Sequence, residues 1–423
     1  MLESLAYRLG IGAYSLGVRA AALHNRKASA LIAGHKESIA RLRHCDFSGD
    51  WVWIHAASLG EFEQGRPVIE RIRRFLPEMK ILLTFFSPSG YEVRKNYDGA
   101  DMVCYLPFDT PEMAEWFVKK VSPRQAIFVK YEIWRNYLRA LSKQSVPTYL
   151  ISAAFRPGQA FFRTYGKTYR RWLHLFSRIF VQDEKSRRLL ASIGVTDVDV
   201  AGDTRFDRVT DIMRQRRDLP ELEELTRRLH SEGKKILVAG SSWEPDEDVY
   251  IPWLLSRPDM AAVIAPHEFD AERLESLRSR LGKDCVLYSE LTKNPEACTH
   301  ARFVIVDCFG LLSSIYRFAD IAHIGGGFGV GIHNINEAAV YGIPVTFGPN
   351  YHRFIEAEEM IAAGGACSVA SREEFERHAS RLMDNDSDRK GCGEAAGAYI
   401  KSKLGASDKV FEAIFRQNGP EKC

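Results

Sequence analysis

Two carboxylates in this chain stand just behind short β-rich runs. One is Glu61, in His55-Ala56-Ala57-Ser58-Leu59-Gly60-Glu61; the other is Glu132, in Lys130-Tyr131-Glu132-Ile133-Trp134. At the carboxyl end of a strand, Glu61 is placed to act as a general base that takes the proton of an acceptor hydroxyl. The same residues also spell a helix start, with Ser58 as N-cap and Glu61 closing a capping box three residues later. Glu132 likewise reads as a cleft carboxylate or as an acid at the positive end of a helix. Arg205, in Gly202-Asp203-Thr204-Arg205-Phe206-Asp207, is a fixed cation of the kind that stabilises a departing phosphate, or a surface arginine.

A second group lies later. Gly325-Gly326-Gly327-Phe328-Gly329-Val330-Gly331-Ile332-His333-Asn334-Ile335-Asn336-Glu337 follows a strand-like run and leads into a helical one. Backbone N–H groups of such a loop can cradle a phosphate, and Glu337 can accept hydrogen bonds from a ribose. The loop is not the dinucleotide fingerprint, which belongs to an early β-α-β unit. Gly240-Ser241-Ser242-Trp243-Glu244, Pro266-His267-Glu268 and Gly348-Pro349-Asn350 each follow a strand of the same half, so one sheet edge should collect them all. Residues 156–178 carry six Lys/Arg, no acid and six aromatics. That mixture suits a phosphorylated lipid at a membrane surface, single-stranded nucleic acid, or an amphipathic helix with a solvated basic face.

The elements that must position these groups are legible as apolar runs. Strands are expected at 51–57, 80–86, 101–106, 125–130, 147–153 and 178–182, then at 235–241, 260–266, 303–307, 320–326 and 343–348, with helical patterns between. Near-continuous apolar strands alternating with helices imply parallel sheets covered on both faces. At 423 residues, 45% hydrophobic and 27% charged, the chain is too long for one core; a charged helical stretch at 207–234 separates two α/β series, with the connection within 203–234. Net charge is only +3, so nucleic acid is not a suggested partner. None of the eight cysteines has C-x-x-C spacing, which points to a reducing compartment and against a zinc site. Residues 1–44 carry seven Lys/Arg against two acids. Their charge-free run between Arg8 and Arg19 is 10 residues, too short to span a bilayer and without a signal-peptide cleavage pattern. An interfacial helix on anionic lipid is the expectation, with a soluble amphipathic helix packed on the body as the alternative.

Together these words resemble the Kdo (3-deoxy-D-manno-octulosonic acid) transferases of lipopolysaccharide synthesis. The likeness is carried by HAASLGE (55–61), TFFSPSGYE (84–92), YLPFDTP (105–111), EIWRN (132–136), SAAFRP (152–157), GDTRFD (202–207), APHEFD (265–270) and HNINEAAVYGIPVTFGP (333–349), in family order and spacing. The resemblance implies a GT-B fold: two Rossmann-like α/β domains facing across a cleft. It divides the chain into a membrane-associated helical segment (1–44), an acceptor domain with the base (45–206) and a CMP-sugar domain (207–423), whose last helix can return to the first domain. It implies inverting, metal-independent and cofactor-free transfer of Kdo from CMP-Kdo to a lipid A precursor, lipid IVA. The setting it implies is the cytoplasmic face of the bacterial inner membrane, held through residues 1–44 and 156–178. Glu61 is then the proton acceptor, and Glu132 and Arg205 support the transition state. Pro266, His267, Gly310, Leu311, Leu312, Asn334, Ile335, Asn336 and Glu337 contact CMP. Lys130 stands where the family usually has a second acid, Arg205 where it commonly has Lys, and Gly310-Leu311 where a Gly-Glu pair is common. The rival readings are a GT-B enzyme using a UDP-sugar, a sugar-nucleotide epimerase, and a non-enzymatic protein that binds anionic lipid.

Overall fold

The computed structural model describes residues 2–22, 24–214 and 216–416. It contains two seven-stranded sheets in which every neighbouring pair is parallel. The first has β1 (Trp51–His55), β2 (Lys80–Phe85), β3 (Met102–Tyr105), β4 (Gln125–Val129), β5 (Thr148–Ala153), β6 (Arg178–Val181) and β7 (Val198–Val200), in the order β3-β2-β1-β4-β5-β6-β7. The second has β8 (Lys235–Ser242), β9 (Met260–Pro266), β10 (Cys285–Leu287), β11 (Phe303–Ile305), β12 (Ile321–Ile324), β13 (Val345–Phe347) and β14 (Ala366–Ser368), in the order β10-β11-β9-β8-β12-β13-β14. The α/β class and the doubled parallel architecture are as expected.

The central strands are buried end to end, β1 and β4 without an exposed residue, because helices cover both faces. That is why they read as unbroken apolar runs. β7, β10 and β14 were not expected. Each is a three-residue edge strand; Val198–Val200, for instance, alternates buried, exposed and half-buried. With one flank unpaired and so few residues, such a strand carries no run to detect.

Compactness divides the chain between Asp207 and Arg208, and again before Leu404, where the polypeptide returns to the first unit. The return has a clear physical basis. The buried Asp207 carboxylate accepts the N–H groups of Gly405 (2.5 Å) and Ser407 (2.6 Å), together with the Ser407 hydroxyl. Val410, Phe411 and Ile414 then join a core with Ile69 and Ile72.

Two helices open the chain, α1 (Leu2–Ala21) and α2 (Arg26–His44). No helix among the described residues is long and apolar enough to cross a membrane. The side chains of Arg8 and Arg19 lie outside the described ones, as do Cys423 and the side chain of Cys298. Among the described residues, α1 is tied down at Tyr7, whose hydroxyl donates to Asp109 at 2.6 Å and whose ring meets Trp172 edge-on at 5.5 Å.

Residues 156–178 are not one amphipathic helix. They form two 3₁₀ turns, Ala160–Phe162 and Thr164–Gly166, then a helix, Lys167–Leu173. Phe161, Phe162 and Trp172 pack onto the core, and Arg170 braces the turns by donating to the carbonyls of Phe161 and Arg163. Tyr165, Lys167 and Arg171 remain exposed.

Replacing Asp207 by Ala leaves buried N–H groups unanswered. The variant is expected to lose roughly 3 kcal/mol of stability and to release the segment from Leu404 to protease first. Thermal unfolding with mapped limited proteolysis measures both; an unchanged melting point would refute the clamp.

Candidate active site

Helix α3 (Leu59–Phe75) begins directly after β1, with Ser58 as its N-cap. The capping box is real: Glu61 N–H points to Ser58 Oγ at 3.5 Å, and Glu61 Oε2 accepts the N–H groups of Ala57 (2.7 Å) and Ser58 (3.2 Å). Both of these bonds fall on Oε2, so the carboxylate is oriented without being used up. The cap and the base are therefore compatible uses of one side chain. Glu61 remains half-buried rather than sealed.

Glu132 follows β4, the strand beside β1. Between strand and acid, Lys130 takes a left-handed backbone, φ 66°, a strained conformation for a residue with a Cβ. It turns the chain so that Glu132 Oε2 receives Trp134 Nε1–H at 2.5 Å and lies 3.2 Å from Nε2 of the buried His55. His55 is held from its other side by Thr84, Nδ1 to Oγ1 2.9 Å. Burial pushes the Glu61 carboxyl above its ordinary value, and the charge of Glu132 pushes it further; the N–H of Ala57, His55 and the N–H of Ser58 pull it back in part. A carboxylate raised in this way is a stronger base than a free one.

β1 and β4 are also where the strand order of this sheet reverses. Ligands of open parallel sheets bind beyond the carboxyl ends of strands at such a point; Glu61, in the first turn of α3, and Glu132, in the loop after β4, flank it. Arg205 also belongs to this unit. Its Nε and Nη2 both donate to Asp203 Oδ2, at 2.9 and 2.7 Å. Gln64 and Gln182 donate to the same buried Asp203, so the guanidinium is anchored at its base while 43% of the side chain stays exposed.

The second unit repeats the logic. Its strand order reverses between β8 and β12, and the glycine-rich loop follows β12. Gly326 has φ +89°, a conformation that disfavours any Cβ. A Cβ on Gly327 would lie 2.5 Å from the backbone N of Gly348, so the loops after β12 and β13 pass in backbone contact. The fully buried Asp246 ties the loops together, its Oδ2 accepting the N–H of Gly326 (2.9 Å) and of Trp243 (3.0 Å). Pro266 ends β9, and the exposed His267 stacks on Trp243 at 4.3 Å and meets His333 at 4.7 Å. Gly310 (φ 81°) and the buried Leu311 lead to Leu312, which reaches the end of β8, 2.8 Å from where a Cβ on Gly240 would stand.

Asn334 Nδ2 donates to Glu337 Oε1 at 3.0 Å, and Asn334 Oδ1 accepts the N–H of the buried Asn336; Ile335 is buried beneath them. Burial pushes the Glu337 carboxyl up, against the lowering effect of Asn334 and of Arg208. The helix after this loop is one turn, Asn336–Ala339, shorter than the sequence pattern suggests, because the chain turns at Gly342 (φ 70°) ahead of Pro344.

The predicted residues thus fall into two sets, one at the switch point of each sheet. His55, which holds Glu132, and Trp243, on which His267 stacks, lie in runs that the sequence singles out without a role of their own. Asp246, the tie of the glycine loop, is not singled out there; its signal is an acid three residues after Trp243 at a helix start. Among the described residues no group of three His, Cys, Asp or Glu is placed to hold a metal ion.

Two α/β units, one with two acids and the other with a glycine-rich loop at its switch point, define a GT-B-like protein. Solved structures agree on the fold: a UDP-N-acetylglucosamine 2-epimerase superposes with a TM-score of 0.56 at 12% identity over 89% of this chain and 98% of its own. The UDP-N-acetylglucosamine 2-epimerase of Methanocaldococcus jannaschii gives 0.51 at 14% over 83% and 99%. Sequence is more particular. Residues 21–208 match the model of the 3-deoxy-D-manno-octulosonic-acid transferase (kdotransferase) family. The 3-deoxy-D-manno-octulosonic acid transferases of Bordetella pertussis and Haemophilus influenzae are 26% and 24% identical to it, each over 86% of both chains. Residues 21–208 therefore belong to the Kdo-transferase family, and most of the chain is related to the same proteins, as its motifs imply.

The like charge of Glu132 raises Glu61, so Glu132→Gln should move the Glu61 titration to lower pH. Carbon NMR of labelled glutamate side chains reads the midpoint; one that does not move would assign the whole shift to burial.

Proposed function

We propose that the chain is an inverting glycosyltransferase that moves Kdo from CMP-Kdo onto a lipid A precursor, with no metal and no cofactor, at the cytoplasmic face of the bacterial inner membrane. The observation that carries the proposal is the Glu61 carboxylate: fixed by two N–H groups, raised by burial and by Glu132, and set at the switch point of a Kdo-transferase domain.

In this reading Glu61 takes the proton of the acceptor hydroxyl while that oxygen attacks the anomeric carbon of Kdo. The new C–O bond forms on the face opposite the departing phosphate, the bond to CMP breaks, and both its electrons leave with CMP. Arg205 meets the negative charge that builds on the leaving group. Glu132, held by His55 and Trp134, supports the transition state through its fixed charge. CMP is held by Pro266, His267, Gly310 to Leu312 and Asn334 to Glu337: the stacked His267 offers a face to the base, Glu337 accepts from the ribose, and backbone N–H groups take the phosphate. The epimerase reading shares the fold; the kinship of residues 21–208 with Kdo transferases favours transfer.

Three measurements test this. CMP release from CMP-Kdo with tetraacylated lipid A precursor, in chelator, should fall by roughly a hundredfold or more in Glu61→Gln. Wild-type turnover should also decline as pH drops through the raised carboxyl of Glu61, since only the ionised form accepts a proton. A variant as active as wild type would remove Glu61 as the base. Arg171→Glu, on the exposed part of 156–178, should raise the acceptor KM several-fold at low salt and less at high salt. Salt-independent, unchanged kinetics would remove that segment from acceptor binding.

A further inference from the structure

A cavity of about 1060 Å³ lies in the first unit, apart from the candidate site residues described above. Val18 and Ala21 of α1, Ala28 and Leu31 of α2, and Ser87 and Pro88 at the start of α4 (Pro88–Arg94) form its walls. Among the described residues no Lys or Arg lines it, and Glu92, a carboxylate at its edge, is paired with Lys95 at 2.9 Å. The described residues that α1 and α2 give to the cavity, Gly17, Val18, Ala21, Ala28, Ala30 and Leu31, are mostly small, which leaves room for a trough. An apolar trough of this size belongs to ligand sites rather than to packing defects.

Its position relative to Glu61 identifies the occupant. Ser87 N–H donates to the carbonyl of Ala57 at 2.7 Å, and Ala57 N–H donates to Glu61 Oε2 at 2.7 Å. One residue, Ala57, therefore links the wall of the cavity to the carboxylate. We propose that the cavity is the binding site for an acyl chain of the lipid acceptor, which lies between α1 and α2 while the acceptor's hydroxyl is presented to Glu61. This rests on the reading of the chain as a transferase with a lipid acceptor. Among the described residues a phosphorylated headgroup or a nucleotide finds no cation in the cavity, and the polar side chains there, Asn25, Ser87, Ser89 and Glu92, are a minority of a mostly apolar lining. A flexible hydrocarbon chain needs nothing but an apolar trough open at one end. α1 then does more than lie on a bilayer: it is one wall of the acceptor site, and Tyr7 on Asp109 fixes that wall.

The test uses the full chain and a photoreactive myristic acid analogue. Labelling is expected on α1, α2 and Ser87–Glu92, and tetraacylated lipid A precursor should compete for it. Ala21→Leu with Ala28→Leu fills the trough with residues that favour helix. It should abolish labelling and raise the acceptor KM about tenfold, about 1.4 kcal/mol, the burial of about two methylene groups, with the CMP-Kdo KM unchanged. Acceptors with progressively shortened acyl chains should lose the same factor on the wild-type protein, which keeps the test decisive if the double variant fails to fold. Labelling elsewhere, or labelling and acceptor KM that survive filling, would overturn the proposal. Competed labelling of this cavity in a protein that transfers no sugar to any lipid would uphold the acyl site and overturn the transferase reading alone.

Discussion

Parallel pairing is the constraint from which the rest of this molecule follows. A strand that runs parallel to its neighbour cannot be joined to it by a tight turn; the chain must cross back along a face of the sheet. Every crossover starts at the carboxyl end of a strand, so all fourteen strands deliver their outgoing loops to one edge of their own sheet. Where the order reverses, two adjacent loops leave in opposite directions and open a gap between them. In the first sheet those loops lead into Glu61 and carry Glu132; in the second they carry Trp243 and the glycine-rich run.

The loops then need internal support, because a gap at a sheet edge is wet and its side chains would otherwise wander. Each is stiffened by buried polar bonds. Glu61 closes a capping box on Ala57 and Ser58. Glu132 is gripped by Trp134 and by His55, which is itself fixed by Thr84. Arg205 is anchored on Asp203, and the glycine loop hangs from Asp246. These bonds hold charge in partly desolvated places, and that burial, more than any single partner, lifts the carboxyl of Glu61.

The same economy of construction joins structure to site elsewhere. The GDTRFD run contributes Arg205 and its anchor to the candidate chemistry, and through Asp207 it clamps the returning segment at Gly405 and Ser407. The turn after β2 supplies Ser87 both to the carbonyl behind Glu61 and to the wall of the apolar cavity. Residues that sit in two networks at once make the site a property of the packed unit and not of a loop.

The sequence by itself determined the α/β class, the parallel sheets and both acids, because burial on two faces forces apolar runs and because acids behind such runs occupy the open edge. It also determined kinship, through words such as HAASLGE and GDTRFD kept in order. It could not reveal β7, β10 and β14, where three residues at an edge leave no pattern. It could not show that cap and base are compatible uses of Glu61, since that depends on which carboxylate oxygen the N–H groups occupy. Only the tertiary structure set Glu132 against His55, packed half of the basic aromatic segment inward, and opened a trough between α1 and α2. Each of these joins residues far apart in the chain, and such contacts are decided by packing, on which local composition and periodicity have no bearing.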